Sequence, residues 1–372
     1  MIAGLLPGIS RSLDQPVSIA SQGIAAFSLT YLVSAPLFSL LFGSMPAKRT
    51  LQLALVIFLV GNVLTLSAHG IGAFIVGRAC AGLGAGIFNP ACVNLAMAIG
   101  TERGEGAAKK GRVLSFIWGA NSAGVVFGVP IGIYLASKFD WRVSIGYVFV
   151  LALVVLIALS LRESNAAAPA TSSLRARLRL LVDKNVLHVV GITCGTSLAS
   201  LGLYSYVSLV QRGAPHSLTT TLLCWGVGGF TGSSLVGSLI DRSRQPRRVM
   251  AFILVGLMVT LLTMPLTHGL HYVSLASFFL WGMFGWAMPT PQQHVLFALH
   301  EDQRAILSAL NSSAIGLGSA LGTGIGGIVV ASGVSAIHLP FLAAAVLGGV
   351  TVCQVALLLK HSVAPERRAV AA

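Results

Sequence analysis

Eleven long apolar stretches follow one another along this chain, and almost every Lys and Arg sits in alternate gaps between them. The stretches run Val17 to Gly43, Leu51 to Ala68, Ile71 to Ile99, Val113 to Ser137, Val143 to Leu161, Val186 to Val210, Leu218 to Ile240, Val249 to Thr267, Tyr272 to Leu299, Ala305 to Ala331 and Leu339 to Leu359. Each is long enough to cross about 30 Å of hydrocarbon at ~1.5 Å per residue. The expected fold class is therefore an all-α integral membrane protein. A mean hydropathy of +0.86 and a charged fraction of 9% agree with it.

The net charge of +14 points toward nucleic acid only until the cations are placed. A nucleic-acid surface needs a solvated patch, whereas here the cations are confined to short loops. Lys48 and Arg49; Arg103, Lys109, Lys110 and Arg112; Arg162, Arg175, Arg177, Arg179 and Lys184; Arg242, Arg244, Arg247 and Arg248; Arg304; and Lys360, Arg367 and Arg368 fall on one side. The other side holds Arg11, Lys138, Arg142 and Arg212, and Arg78 lies within a span. The positive-inside rule makes the first set cytoplasmic, with the chain end after Leu359. The expected location is a plasma (inner) membrane, crossed many times.

Before Val17 stands a short apolar segment, Met1 to Ile9, that reaches about 13 Å and has neither a basic leader nor a cleavage site. Loop parity suits the tail of a twelfth span whose first half is absent from the sequence; a short re-entrant segment is the alternative. The five cysteines, Cys80, Cys92, Cys194, Cys224 and Cys353, all lie within spans without CxxC spacing, and read as small packing residues. No metal site is expected.

The longest hydrophilic stretch divides the spans evenly. This gives an N-terminal helix bundle over 1–161, a cytoplasmic linker over 162–185, a C-terminal bundle over 186–360 and a cytoplasmic tail over 361–372. The linker begins with small polar residues, Ser164 to Pro169, and continues as Leu174 to Val182, where Arg175, Arg177 and Arg179 alternate with leucines. The second part suits either a short helix at the anionic inner leaflet or a solvated basic loop.

The halves repeat each other. Gly43-Ser44-Met45-Pro46-Ala47-Lys48-Arg49 corresponds to Gly237-Ser238-Leu239-Ile240-Asp241-Arg242, and Arg112-Val113-Leu114-Ser115 to Arg304-Ala305-Ile306-Leu307-Ser308. Each Arg opens a glycine-rich span, with Gly124, Gly128 and Gly132 in one and Gly318, Gly322 and Gly326 in the other. Parallel duplication produces such pairs. A spacing of four places the glycines on one helix face, expected to be a contact between the halves.

These residues resemble the major facilitator superfamily, in particular its twelve-helix drug:proton antiporter branch near the sugar- and chloramphenicol-efflux permeases. Ala3-Gly4-Leu5-Leu6-Pro7-Gly8-Ile9 is similar to the end of that branch's first helix, and Gly77-Arg78-Ala79-Cys80-Ala81-Gly82-Leu83-Gly84-Ala85-Gly86 to its fourth-helix arginine motif. Gly119 through Gly132, then Asp140-Trp141-Arg142, resembles the fifth-helix antiporter motif and the following loop. The resemblance implies two six-helix bundles, with the first helix incomplete here. It implies secondary active transport by alternating access: proton-coupled efflux of a small organic molecule such as a drug, sugar or similar metabolite. It also implies a monomer with no cofactor beyond the proton gradient. One departure is clear. The family's first-half loop carries an Asp where Pro46-Ala47-Lys48-Arg49 has none, whereas the second half keeps Asp241-Arg242.

Candidate transport residues follow from what lipid disfavours. Arg78 lies deep in a span, where a charge costs about 3 kcal/mol by insertion scales, and shares a face with Gly82, Gly86 and Pro90. It either governs substrate or proton in a cavity or braces neighbouring helices. The tenth span breaks at Met288-Pro289-Thr290-Pro291-Gln292-Gln293-His294, the pattern of backbone lining a wet path, with Asn89, Pro90 and Asn94 as a weaker counterpart. His294 either exchanges protons or is hydrogen-bonded in place. Asn121, Asn311, Tyr31, Tyr204, Tyr206, Trp225 and Trp281 offer amides and aromatic faces to a partly apolar ligand, or pack. Pro130 removes a helix amide and, with Gly124, Gly128 and Gly132, makes a deformable segment. Arg112, Arg304, Asp241 and Arg242 complete the conformational set.

All ten acidic residues lie outside span interiors. A proton antiporter needs an embedded group that changes protonation, most often a carboxylate. In the resembling permeases an acid commonly precedes the Ala-Gly-Leu-Leu-Pro-Gly segment. The expectation is that the chain as given transports poorly, and that one extended upstream acidifies the cytoplasm when substrate is added. Alternatively His294 and Arg78 suffice and transport is facilitated, or the chain is a non-transporting remnant. A membrane enzyme is disfavoured, because the nine His are scattered and no nucleophile has a paired base.

Overall fold

The computed structural model describes residues 2–42, 45–102, 110–161 and 174–370. Gly43 and Ser44, Arg103, Glu105 and Lys109, and the linker residues 162–173 with Arg162 and Glu163 lie outside the described residues, as do the side chains of Pro130, Arg177, Lys360, Arg367 and Arg368.

The chain is almost wholly helical: α1 Ile2–Ser12, α2 Gln22–Phe42, α3 Ala47–Leu66, α4 Ile71–Glu102, α5 Lys110–Ala123, α6 Val129–Lys138, α7 Trp141–Leu161, α8 Leu174–Leu180, α9 Lys184–Tyr204, α10 Leu218–Ser243, α11 Pro246–Thr267, α12 His271–Ala287, α13 Pro289–Leu299, α14 Arg304–Ala331 and α15 Leu339–Val370. Among the described residues, nine helices are long and apolar enough to cross a membrane. Two further sequence spans appear as broken pairs, α5 with α6 and α12 with α13. The fold class is that expected, an all-α membrane protein. The basic second part of the linker contributes the short helix α8, with Arg175 and Arg179 exposed and Leu180 buried.

Local chemistry sets the ends and breaks. The Asp183 carboxylate caps α9, accepting from the Asn185 backbone N–H at 2.8 Å. Ser217 caps α10 through the Thr220 N–H, and Arg244 ends it in the left-handed region at φ 52°, returning its N–H to the Ile240 carbonyl. Each cap satisfies polar backbone that lipid would leave stranded. Residues Gly124–Gly128, between α5 and α6, form a π-helical turn just before Pro130. The proline has no amide to return to the Val126 carbonyl, so the ladder widens there.

The chain forms two compact units, Met1–Glu105 with Gly124–Leu181 and His300–Ser313, and Gly106–Ala123 with Val182–Leu299 and Ala314–Ala372. The first therefore takes the start of α14 from the C-terminal half, and the second takes α5 from the N-terminal half. In the first unit Ser313 Oγ donates to the Leu32 carbonyl at 2.8 Å. In the second, the Gly237 N–H donates to Ser115 Oγ at 2.7 Å.

Within the first unit α3 and α4 run in backbone contact. A Cβ on Gly77 would lie 2.7 Å from the Thr65 backbone nitrogen. Below α1, Leu5, Ile9 and Leu13 join Ala20, Ala68, Phe74, Trp141 and Ile145 in a buried cluster. Arg142 straps its edge: Nη2 donates to the Ala68 carbonyl at 2.8 Å, Nε to the Leu66 carbonyl at 3.2 Å and Nη1 to Ser12 Oγ at 3.0 Å. Its guanidinium also lies 4.5 Å from the Trp141 ring centroid.

In the second unit Gly318 and Gly322 lie against α9, where a Cβ on Gly202 would sit 2.5 Å from the Gly322 Cα. This differs from the expected contact between halves. The partner of the Gly318 and Gly322 face is α9 of the same half. Spacing of four fixes a face, but the neighbour that fills it is a tertiary matter.

Candidate functional site

Each unit gathers polar and aromatic side chains, and the two groups differ in chemistry. In the first unit Arg78 is 6% exposed, and its guanidinium carbon stands 4.5 Å from the Phe27 ring centroid. Among the described residues its Nε has no hydrogen-bond partner. A desolvated cation over an aromatic face gains about 2 kcal/mol or more, which offsets much of the cost of burial. The face it shares with Gly82 and Gly86 lies along α2, where those glycines leave room for Phe27, Thr30, Tyr31 and Ser34. Thr30 Oγ1 crosses to the Ala79 carbonyl at 2.8 Å.

One turn further, Tyr31 shares a hydrogen bond with Asn89 and stacks on Phe27 at 6.3 Å. Phe27 and Tyr31 thus join Arg78 and Asn89 into one continuous row. Asn94 Oδ1 is buried without a partner among the described residues. Asn311 is fully buried in the same unit.

The second unit is built around indoles. Tyr204 stacks on Trp225 with centroids 4.3 Å apart, and Trp225 stands edge-on to Trp281 at 6.1 Å and to Trp286 at 5.9 Å. Trp281 is anchored, its Nε1 donating to Ser200 Oγ at 3.0 Å. Trp225 Nε1 and Trp286 Nε1 are not: among the described residues both are buried without an acceptor. Ser122 Oγ, Thr290 Oγ1 and Gln292 Nε2 are in the same condition. Gly229 makes the room, since a Cβ there would press on Trp286 and Ser122.

The double-proline break adds a second set of buried polar side chains. Pro289 and Pro291 open α13, which turns Thr290, Gln292 and Gln293 into the interior; all three are almost fully buried. Gln293 Oε1 accepts from Trp118 Nε1 at 3.1 Å, joining α5 to α13. His294 is half-buried on the same helix, whereas Asn121 is exposed. The structure therefore brings Tyr204 and Trp225 together with Trp281 and Trp286, and ties Gln293 to Trp118.

Of the residues expected to serve conformational change, Arg112 and Asp241 meet. The Arg112 N–H donates to Asp241 Oδ2 at 3.2 Å, so Asp241 supports the first turn of α5. Arg242 is exposed, and Arg304 Nη2 pairs with Glu301 at 3.8 Å. The Gly132 carbonyl accepts from Ser144 Oγ at 2.6 Å, locking α6 to α7 beyond the widened turn. Sequence reasoning missed Trp286 and Trp118. The available signal was that a Trp N–H inside a span needs an acceptor.

Comparison with known proteins gives the family and the fold. A family model described as Major Facilitator Superfamily matches residues 1–301. The chain is 28% identical over 338 residues to the uncharacterized MFS-type transporter YbcL of Bacillus subtilis (strain 168), covering 89% of this chain and 84% of that one. It is 28% identical over 349 residues to the inner membrane transport protein YdhP of Escherichia coli (strain K12), covering 93% and 88%. A probable sugar efflux transporter of Helicobacter pylori (strain P12) is 23% identical over 336 residues, covering 88% and 83%. Among solved structures, the transporter FucP in its outward conformation superposes with a TM-score of 0.74 at 18% identity, covering 95% of this chain and 94% of that one.

Proposed function

The chain belongs to the major facilitator superfamily, a family of membrane transporters rather than enzymes, and from that premise we propose that it exports a small organic molecule across the inner membrane by alternating access, coupled to protons. The observation that carries the reading is the indole cluster of the second unit. Two buried N–H donors without acceptors among the described residues lie in an aromatic frame, an arrangement that favours a partly apolar ligand bearing acceptor oxygens or nitrogens. The proposed cargo is of drug, sugar or similar metabolite type. The relative named as a probable sugar efflux transporter supports the outward direction. In this reading the protein works as a monomer without a cofactor, its C-terminus is cytoplasmic, and Asp241 with Arg112 belongs to the conformational cycle.

One feature favours a second reading, facilitated passage without proton movement: no acidic residue lies inside a span. Everted vesicles separate the two. Respiration acidifies the lumen, and antibiotics, sugars and purines are added in turn while lumenal pH is followed. Proton release on adding one of them supports coupled export. Substrate equilibration with no pH change supports the facilitated reading, and no flux of any compound removes both.

A further inference from the structure

Away from the aromatic cluster, α9 and α15 of the second unit enclose a cavity of about 540 Å³ that the transport reading does not use. That volume is within the ~300–1,000 Å³ range of ligand sites. Its walls are apolar, with Leu187, Ile192, Val346 and Val350 among them, and two glycines widen it. Among the described residues a Cβ on Gly191 or on Gly349 would meet nothing within 4 Å, so no described side chain fills the space. Leu187 is 49% exposed and Cys353 is exposed, so the cavity opens sideways along the helices as a groove.

One end of this groove is cationic. Lys184, the first residue of α9, lines it, and His188, whose Nδ1 is hydrogen-bonded to the Lys184 carbonyl, lies one turn on. The neighbouring acid, Asp183, turns its carboxylate to the α9 amides. On α15, Gln354 Nε2 donates to the Arg247 carbonyl at 2.9 Å, which fixes the start of α11 beside the same helix; Arg247 Nη1 is buried without a partner among the described residues. An apolar groove that ends on a lysine at a helix start matches the polarity of an acyl chain joined to an anionic headgroup. Basic pockets between spans on the cytoplasmic side take anionic headgroups.

We propose that this groove is a specific site for a diacyl anionic phospholipid, with an acyl chain between α9 and α15 and the phosphate on Lys184 and His188. The test is native mass spectrometry of the full chain with phosphatidylglycerol, with phosphatidylcholine of the same chains, and with glycerol phosphate. Phosphatidylglycerol adducts should exceed phosphatidylcholine adducts by about fivefold, the factor for one lysine near a phosphate. Lys184→Gln should remove the preference, and Gly349→Leu should remove the tightly held adduct. Equal retention of the two lipids by the unaltered chain, retention unaffected by both variants, or equal binding of glycerol phosphate each overturns the proposal. Photo-crosslinking of the unaltered chain with a diazirine-acyl phosphatidylglycerol needs no variant to fold: labels on Leu187 or Val350 support the site, and labels confined to other helices overturn it.

Discussion

The Asp241 carboxylate accepts the backbone N–H of Arg112 at 3.2 Å, so the last turn of α10 holds the first turn of α5. An anion near a helix N-terminus contributes about 0.3–1 kcal/mol when exposed, a factor of about two to five in an equilibrium. Asp241→Asn should therefore change the transport rate by that factor and leave substrate affinity as it was. Raising salt should shrink the difference between the two proteins. Flux assays in proteoliposomes at two ionic strengths check this, and a salt-independent effect would count against the electrostatic account.

Arg78 combines deep burial, a ring contact with Phe27 and an Nε without a partner among the described residues. If its charge serves substrate rather than structure, Arg78→Met should melt no lower than the parent, because an expensive buried charge has gone. Flux should fall by about tenfold or more, the equivalent of ~1.4 kcal/mol of lost interaction. A variant that melts early but transports normally would make Arg78 a brace.

The indoles predict opposite responses. Trp281→Phe breaks the bond to Ser200 and should lower stability by about 1 kcal/mol. Trp286→Phe removes a buried donor that has no acceptor, so stability should hold or rise while ligand affinity drops. Thermal melting with and without ligand distinguishes them. Equal loss of stability in both variants is the adverse result.

Glycine substitutions should divide in the same manner. At Gly202 an added methyl would meet the Gly322 backbone at 2.5 Å, and Gly202→Ala should cost about 1–3 kcal/mol. At Gly128 it meets nothing within 4 Å among the described residues, and Gly128→Ala should be neutral or gain about 0.5–1 kcal/mol of helix preference. Melting temperatures of the two variants in detergent report the contrast.

Stability should also decline in mild acid through His216, which lies outside the spans. Its Nε2 meets Ser274 Oγ at 3.1 Å and its Nδ1 meets Thr221 Oγ1 at 3.0 Å, with His271 edge-on at 5.7 Å. Partial burial, then His271 and His268, lower its pKa, opposed by the Ser217 backbone. The unfolded chain thus binds the proton more readily, and stability present above the ordinary histidine value of about 6.5 is lost as pH falls below it. His216→Gln should flatten the melting profile between about pH 7 and 5. An unchanged slope would place the acid sensitivity elsewhere.

The spans were legible because hydropathy and loop charge act locally along the chain, and Leu218 to Ile240 needed only Ser217 and Arg244 to become α10. The burial of Gln292 and Gln293 was partly legible, since the prolines at 289 and 291 announced a break in the apolar run. Trp286 and Trp118 were not, because an indole in a span looks like any other large apolar residue until its N–H is found facing Gln293 or nothing. The company kept by α5 was illegible as well. Sequence order puts it with α4 and α6, but Ser115, Trp118 and Arg112 bond to residues that lie more than a hundred positions later.

The widened turn at Gly124–Gly128 coincides with the point where the chain passes from one compact unit to the other, whereas α14 makes its own passage at Ser313 without any such irregularity. A π turn holds a spare residue, so its register can slip back to the α form by shortening the thread rather than by unlocking either end. The two helices that change unit are thus built differently, one from two α pieces joined by a π turn and the other from a single unbroken run.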